Sequence, residues 1–356
     1  MKSISVVTYG TAGSCPVCTP ERSIHGGNTT SLRILSECIP KESALAIDMG
    51  TGFRLLCKDL LKEGIDTINV LITHFHADHM LGLPFAPQTY MKGVRKELIG
   101  PSENGRGPKE EFENLMAPAR FPVHFAEVES RFFFKGFEHP AAHVILFHPQ
   151  GGRKIMAVDE FERLEAERKH FPIGKGKYSL EECLVVRMYR CNHPELTISY
   201  RFEERPTGKV FVFLTDHENM DGHPTGLIRH ISGADLLIAD GQYDRNTYDT
   251  LTAGFGHGTG DYLARLACRA GVKRVGITHH DPDATDESIL KIVKEAKSAS
   301  TEPDIEYFSC KDLMTIEIGS FSYTPVTGRR WSNIGETTLN PARKCGVFIS
   351  IATSLF

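Results

Sequence analysis

Directly after an apolar run the chain reads THFHADH, placing His74, His76, Asp78 and His79, four potential metal ligands, within six positions. In an extended segment His74 and His76 face one side, and a following turn aims Asp78 and His79 at a neighbouring position. One loop can therefore feed two metal ions. Imidazole nitrogen and carboxylate oxygen suit Zn²⁺, Mn²⁺ or Fe, and the absence of cysteine from the cluster argues against a closed structural zinc knuckle. Two ions in such a site lower the pKa of a shared water, orient it and stabilise both attacking and leaving oxygens. Phosphodiester hydrolysis needs all three actions. The loop alone has too few ligands, so distant residues must complete it.

The elements that bring those residues in are legible as strand ends. Four buried-type strands run into metal-capable groups: VLITHFHADH, FVFLTDHE, LLIADGQYD and RVGITHHDPD. Open layered folds place ligands at such ends, where loops aim polar side chains while apolar strands hold the backbone. Further strands are predicted over 2–8, 30–35 and 44–47, as an opening antiparallel meander, and over 144–147. Leu263, Leu266, Ala267 and Ala270 recur at helical spacing before Gly271, and Ile289, Leu290 and Val293 line a second helix that follows Asp286. The glycine- and charge-rich segments at about 92–120 and 148–180 read as inserts on one domain spanning 1–318. Residues 319–356 read as an extension that adds a strand or meets a partner subunit, as in a homo-oligomer.

Composition narrows the class. Among 356 residues, 41 Lys+Arg against 45 Asp+Glu give a net charge of -4, which predicts no broad electrostatic grip on nucleic acid. Hydrophobic residues at 40% exclude a wholly disordered chain. No apolar run reaches membrane-spanning length, MKSISVVTYG has no signal-peptide core, and nine scattered cysteines fit a reducing compartment. A cytoplasmic protein without membrane contact is expected. Cys15 and Cys18 have CxxC spacing but no second pair, and read as buried or reactive thiols rather than a zinc site.

THFHADH resembles the HxHxDH signature of the metallo-beta-lactamase superfamily, and over residues 1 to about 315 the order of later motifs is similar to its phosphodiesterase branch. That branch includes cyclic-nucleotide phosphodiesterases and transfer-RNA 3′-end endonucleases. The resemblance implies an α/β fold, a four-layer αββα sandwich with a metal site between its halves. It implies that His74, His76 and His193 in RCNHPELTISYRF hold one ion, that Asp78, His79 and His279 in GITHHDPDATD hold the second, and that Asp216 in FLTDHE bridges them. His280 and Asp281 compete with His279 for the last position. His217, Glu218 and His223 are candidates for orienting ligands.

LIADGQYD and GFGHGTGDYLARLA resemble the branch's acidic strand end and GHST-like loop. Asp240 then holds the His257 imidazole in a useful tautomer while His257 protonates the leaving group, so that Asp78, Asp240 and His257 are the expected catalytic residues. The opening segment YGTAGSCPVCTPERSIHGGNTTSL is similar to the branch's GxxGS and GGNTS-like loops and offers Asn28 and Thr29 as site supports or substrate contacts.

The expected cofactors are two divalent ions, zinc first, with manganese or iron as alternatives. The expected reaction is in-line attack on phosphorus by a metal-bridging hydroxide. A small phosphodiester, a cyclic nucleotide, is the first substrate expectation, with Phe112, Phe121, Phe125 and the RFFFKGF stretch as an apolar wall and Arg131 and Lys135 at its rim. The alternatives are a transfer-RNA 3′-end-type endoribonuclease and a noncatalytic nucleotide-binding regulator. For RNA, Lys92, Arg95, Lys96, Arg106 and Lys109 could meet phosphates, although Glu97, Glu103, Glu110 and Glu111 interrupt them. A beta-lactamase activity has less support, because Asp216 and the His257 loop look more like the phosphodiesterase branch than the cysteine-containing site common in those lactamases, and fold alone does not select substrate.

Overall fold

The computed structural model describes residues 3–319 and the backbone of 323–325. The remainder of the 319–356 extension lies outside the described residues. The strands in chain order are β1 (Ser5–Gly10), β2 (Ser31–Leu35), β3 (Ser43–Ile47), β4 (Thr67–Leu71), β5 (Arg95–Pro101), β6 (Phe132–Phe137), β7 (His143–His148), β8 (Gly152–Ala157) and β9 (Phe171–Ile173). They continue as β10 (Gly176–Tyr178), β11 (Leu184–Arg190), β12 (Ile198–Glu204), β13 (Lys209–Leu214), β14 (Leu236–Asp240), β15 (Arg274–Thr278), β16 (Glu306–Ser309), β17 (Met314–Glu317) and β18 (Tyr323–Pro325).

Two eight-stranded sheets result. One has the order β18-β17-β1-β2-β3-β4-β5-β6, the other β16-β15-β14-β13-β12-β11-β7-β8, and β9 and β10 form a separate hairpin. The opening β1, β2 and β3 pair antiparallel, as expected. β3 through β6 and β13 through β16 are parallel, so in each sheet several strands present their C-terminal ends at the same edge.

Period-two alternation sorts the apolar side chains into layers. On β13, Phe211 and Phe213 point into the core between the sheets, while Val212 and Leu214 point outward under helices. Leu236 and Ile238 against Leu237 and Ala239 repeat the pattern on β14. Each buried phenylalanine of this kind stabilises the fold by about 1.5–3 kcal/mol. Helix Phe53–Glu63 covers the first sheet with Phe53, Leu56, Cys57 and Leu60, spaced for one face, and Gly64 closes it at φ +72°. Helices Gly260–Ala270 and Asp286–Ala299 cover the second sheet, the first ending at left-handed Gly271. The chain is therefore an α/β protein with an αββα layering.

The sheets are tied together close to the end of β4. The buried Tyr200 hydroxyl donates to the Ile72 carbonyl at 2.7 Å, and Ile198 N–H donates to the Thr73 carbonyl at 2.9 Å. The backbone that carries the HFHADH loop is thus held by both halves.

Residues 92–120 contain β5, between β4 and β6, and helix Pro108–Leu115; residues 148–180 contain β8, helix Val158–Ala166 and the β9–β10 hairpin. Two members of the expected aromatic wall are core residues, whereas Phe133 is exposed and Phe121 and Phe134 are half-buried. Phe112 and Phe125 are fully buried in the core of the first sheet's outer face, so neither can lie over a base. Cys15 and Cys18 are both exposed, which corrects the buried alternative. Among the described residues, no helix is long and apolar enough to cross a membrane.

Candidate metal centre

Three of the site's acids and histidines sit where a strand ends and the backbone turns left-handed: Asp48 after β3 (φ +56°), Asp216 after β13 (φ +49°) and His279 after β15 (φ +58°). This conformation costs roughly 1–2 kcal/mol for a residue with a Cβ, and Asp and His are among those that tolerate it best. Strain of that kind persists where surrounding structure fixes it, and it clusters at functional sites. Here it turns side chains from both sheets toward the loop after β4.

Among the described residues three overlapping groups able to hold divalent ions result, the third being Asp216, His257 and His279. His74, His76, His193 and Asp216 offer ligand atoms within 4.8 Å of one another, and so do Asp78, His79 and His279. Asp216 faces both: Oδ2 lies 3.4 Å from His74 Nε2, while Oδ1 lies 3.4 Å from His79 Nε2 and 3.5 Å from His279 Nε2. His257 lies beside them, with Nδ1 4.0 Å from Asp216 Oδ2.

The donor chemistry fits cations. His79 Nδ1 meets Asp48 Oδ2 at 2.8 Å, His279 Nδ1 meets Gln242 Oε1 at 2.9 Å, and His193 Nδ1 meets the Gly256 carbonyl at 3.0 Å. Each acceptor holds a ring proton on Nδ1 and leaves Nε2 as the atom facing the cluster, where Asp78 Oδ2 lies 3.2 Å from His79 and 3.1 Å from His279 and the surrounding carboxylates favour positive charge. These nitrogens then converge: His79 and His279 Nε2 are 3.4 Å apart, and His193 Nε2 is 3.4 Å from His76 Nδ1. His76 Nε2 is engaged by Glu195 at 2.9 Å, which turns its Nδ1 inward. His74 Nε2 is buried without a hydrogen-bond partner. Facing nitrogens of this sort are stable around a positive ion.

Burial, reinforced by the neighbouring imidazoles, holds His74 well below the ordinary histidine value, so it is neutral and free to ligate. Asp78 and Asp216 are held well below the carboxylate range although burial opposes it; His79 and His279 act on both, and His279 contributes most to Asp216. Burial also opposes the charged form of His257, but Asp240 at 2.9 Å from its Nδ1 outweighs this and raises its pKa to about 9.

The other expected site residues lie around this centre in different ways. Asp240 is buried, accepting from Gln242 N–H at 3.0 Å and from His217 N–H at 3.4 Å. His217 is a scaffold group: its Nδ1 accepts from Asn192 N–H at 3.1 Å, its Nε2 meets Tyr262, and burial lowers its pKa to about 4. His280 bonds the Cys310 carbonyl through Nε2 at 2.9 Å and packs edge-on to His25, outside the three groups. His223 packs on Tyr262, 3.4 Å from Arg269. Asn28 is bound by Asp312 through its backbone and side-chain nitrogens, and Thr29 exchanges two 2.9 Å hydrogen bonds with Thr51. Those bonds shape the turn beneath the site.

Sequence reasoning did not name Asp48, Thr73, Ser14 or Gln242. Asp48 accepts from His79 and twice from Thr73, and Ser14 N–H donates to Asp78 Oδ2 at 2.9 Å. The available signal was Asp48 in AIDMG, an acid at the end of an apolar strand before glycine.

Gly256 adopts φ +94°, and a Cβ there would come within 2.3 Å of His193 Nδ1. Gly256→Ala should therefore displace His193 and weaken metal binding by about 10–100-fold, the usual range for loss of a group that orients a ligand. Competitive chelator titration checks this; unchanged affinity would show that His193 is not positioned through this contact.

The family description that matches this chain is "Beta-lactamase superfamily domain", over residues 33–280. A ribonuclease Z of Thermoplasma acidophilum is 26% identical over 339 residues, covering 89% of this chain and 97% of that protein. Among solved structures, the short form of human tRNase Z has a TM-score of 0.55 at 21% identity, covering 88% of this chain and 99% of its own. Unliganded yeast PDE1 has a TM-score of 0.58 at 14% identity, with 88% and 98% covered. The structural likenesses, at such identities, concern the fold.

Proposed function

From the chain's membership of the metallo-beta-lactamase superfamily, in its phosphodiesterase and ribonuclease-Z-like branch of metal-dependent hydrolases, we propose that it cleaves a phosphodiester near the 3′ end of an RNA. The observation that carries the substrate class is the span of the likeness to ribonuclease Z, 89% of this chain and 97% of that protein. A match of that extent concerns the whole relative rather than its metal loop alone.

His74, His76 and His193 would hold one divalent ion, Asp78, His79 and His279 the other, and Asp216 would face both; zinc suits this nitrogen and oxygen set. When bound, the ions supply Lewis acidity to the phosphoryl oxygens and lower the pKa of the attacking water. Asp240 holds His257 Nδ1–H at 2.9 Å, directing Nε2–H away from the acid. Asp240 beside Nδ1 favours the charged form of His257, which then has a proton to give to the departing alkoxide oxygen. Burial of Asp216 and Asp240 keeps bulk water from screening these charges.

A small cyclic phosphodiester is the second reading, favoured by one feature. A cavity of about 280 Å³ beside His74 and His76, lined by Phe75, Leu196, Glu103, Arg106, Glu111 and Glu195, is of a size that suits a mononucleotide. Zinc-loaded protein offered a transfer-RNA precursor with a 3′ extension and a panel of cyclic nucleotides should show a higher kcat/KM on the RNA. Turnover of cyclic nucleotides with the RNA left intact would replace the first reading by the second.

A further inference from the structure

The segment that follows Asp216 borders a second cavity, of about 540 Å³, lined by residues 219–223. Arg265 and Arg269 reach it from the exposed face of helix Gly260–Ala270, four residues apart and so on one side of that helix. His223, Tyr248 and Asp221 line it too, with His223 Nδ1 3.4 Å from Arg269. Asp261 pairs with Arg265 at 2.7 Å and lies 3.8 Å from Arg245. Arg269 donates to the Gly222 carbonyl at 2.6 Å, and among the described residues no carboxylate lies at ion-pair distance from it.

Basic side chains on an open helix face are ordinarily solvated and bind nothing. These instead share a concavity, and one is without an acid. Guanidinium groups are the preferred partners of phosphate because their planar fork gives paired hydrogen bonds. The half-buried Tyr248 adds a ring face on which a base can stack. The lining is also coupled to the metal centre. The Tyr248 hydroxyl donates to Glu218, the other Glu218 oxygen accepts from Gly256 N–H at 2.6 Å, and the Gly256 carbonyl takes the His193 Nδ1 proton.

We propose that this cavity is a phosphate subsite for the substrate strand, with Arg265 and Arg269 on one backbone phosphate and the adjoining base on Tyr248. The proposal rests on the RNA-end reading above. It also accounts for how a chain of net charge -4 holds a polyanion, through local rather than overall charge.

The test is the double variant Arg265→Gln/Arg269→Gln, with a short RNA carrying a 3′ extension and, separately, bis(p-nitrophenyl) phosphate, which has one phosphate and so none left for the subsite. KM for the RNA should rise by about tenfold or more with kcat unchanged. The salt dependence of log KM should flatten by about 0.7 for the phosphate released. Turnover of the small diester reports on folding and the metal centre in the same samples. An unchanged RNA KM and salt slope, with both substrates turned over, would overturn the subsite. If the parent protein cleaves the small diester but no RNA, the RNA-end reading fails. Fluorescence anisotropy with a labelled oligoribonucleotide then decides the inference: weaker binding by the variant supports it, and equal binding, or none by the parent, overturns it.

Discussion

Asp216→Asn is expected to lower phosphodiester turnover by on the order of 10³-fold and to reduce bound metal from two ions per chain to one or none. Asp216 directs one oxygen at His74 and the other at His79 and His279. An amide keeps the size of the side chain but has a single acceptor oxygen and no charge, so one half of the centre loses its anionic ligand. Asparagine also tolerates φ +49°, whereas alanine would add strain. Near-parental thermal unfolding of the metal-free variant, measured beside its metal content, separates ligand loss from misfolding. Full activity with two ions retained would remove Asp216 from this role.

His257→Ala should lower the rate on RNA by about 10²–10⁴-fold, the range of general acid catalysis, while leaving metal content unchanged. The same variant should lose far less on bis(p-nitrophenyl) phosphate, whose nitrophenolate departs without a proton. Equal losses on the two substrates would mean that His257 acts on something other than the leaving group. The pH profile gives an independent reading. His257 must be protonated to donate, and Asp240 holds its pKa at about 9 against the effect of burial. The RNA rate should therefore hold as pH rises toward 9 and fall above it. In Asp240→Asn that alkaline limb should move to lower pH, because the charge that favours the imidazolium is gone.

What could be read from the chain, and what could not, follows from how each signal is stored. The HFHADH loop keeps four potential ligands, three histidines and an aspartate, within six positions after an apolar strand, so composition and spacing expose it. The αββα layering comes from the family resemblance, because Phe211, Val212, Phe213 and Leu214 read as one apolar run whose division between two buried layers emerges only in the fold. His193, Asp216 and His279 lie on separate strand ends of the second half, and only the order of family-like motifs singles them out. Asp48 and Gln242 leave no comparable trace, since fixing a histidine's tautomer depends on proximity in space rather than on a motif.

The strand β5 illustrates a different obstacle. Its RKELIGP sequence looks like a surface segment, yet Lys96 is 3% exposed and its ammonium is satisfied by the Gln88 and Met91 carbonyls. Arg95 is paired with Glu97, and Arg153 reaches Glu97 from β8. Polar residues that find partners only after folding hide a strand from a hydrophobicity pattern. Phe112 and Phe125 fail in the opposite sense, as aromatics that suggest a binding wall but fill the core.

Residues from both sheets build adjoining ligand clusters, which predicts a pair of ions rather than one. Anomalous diffraction at the zinc edge from crystals of zinc-loaded protein tests it directly. Two peaks about 3.5–4 Å apart are predicted, one within bonding distance of His74, His76 and His193, the other of Asp78, His79 and His279, with Asp216 touching both. A single peak closed by four protein ligands, or peaks that leave His193 and His279 uncoordinated, would contradict the account.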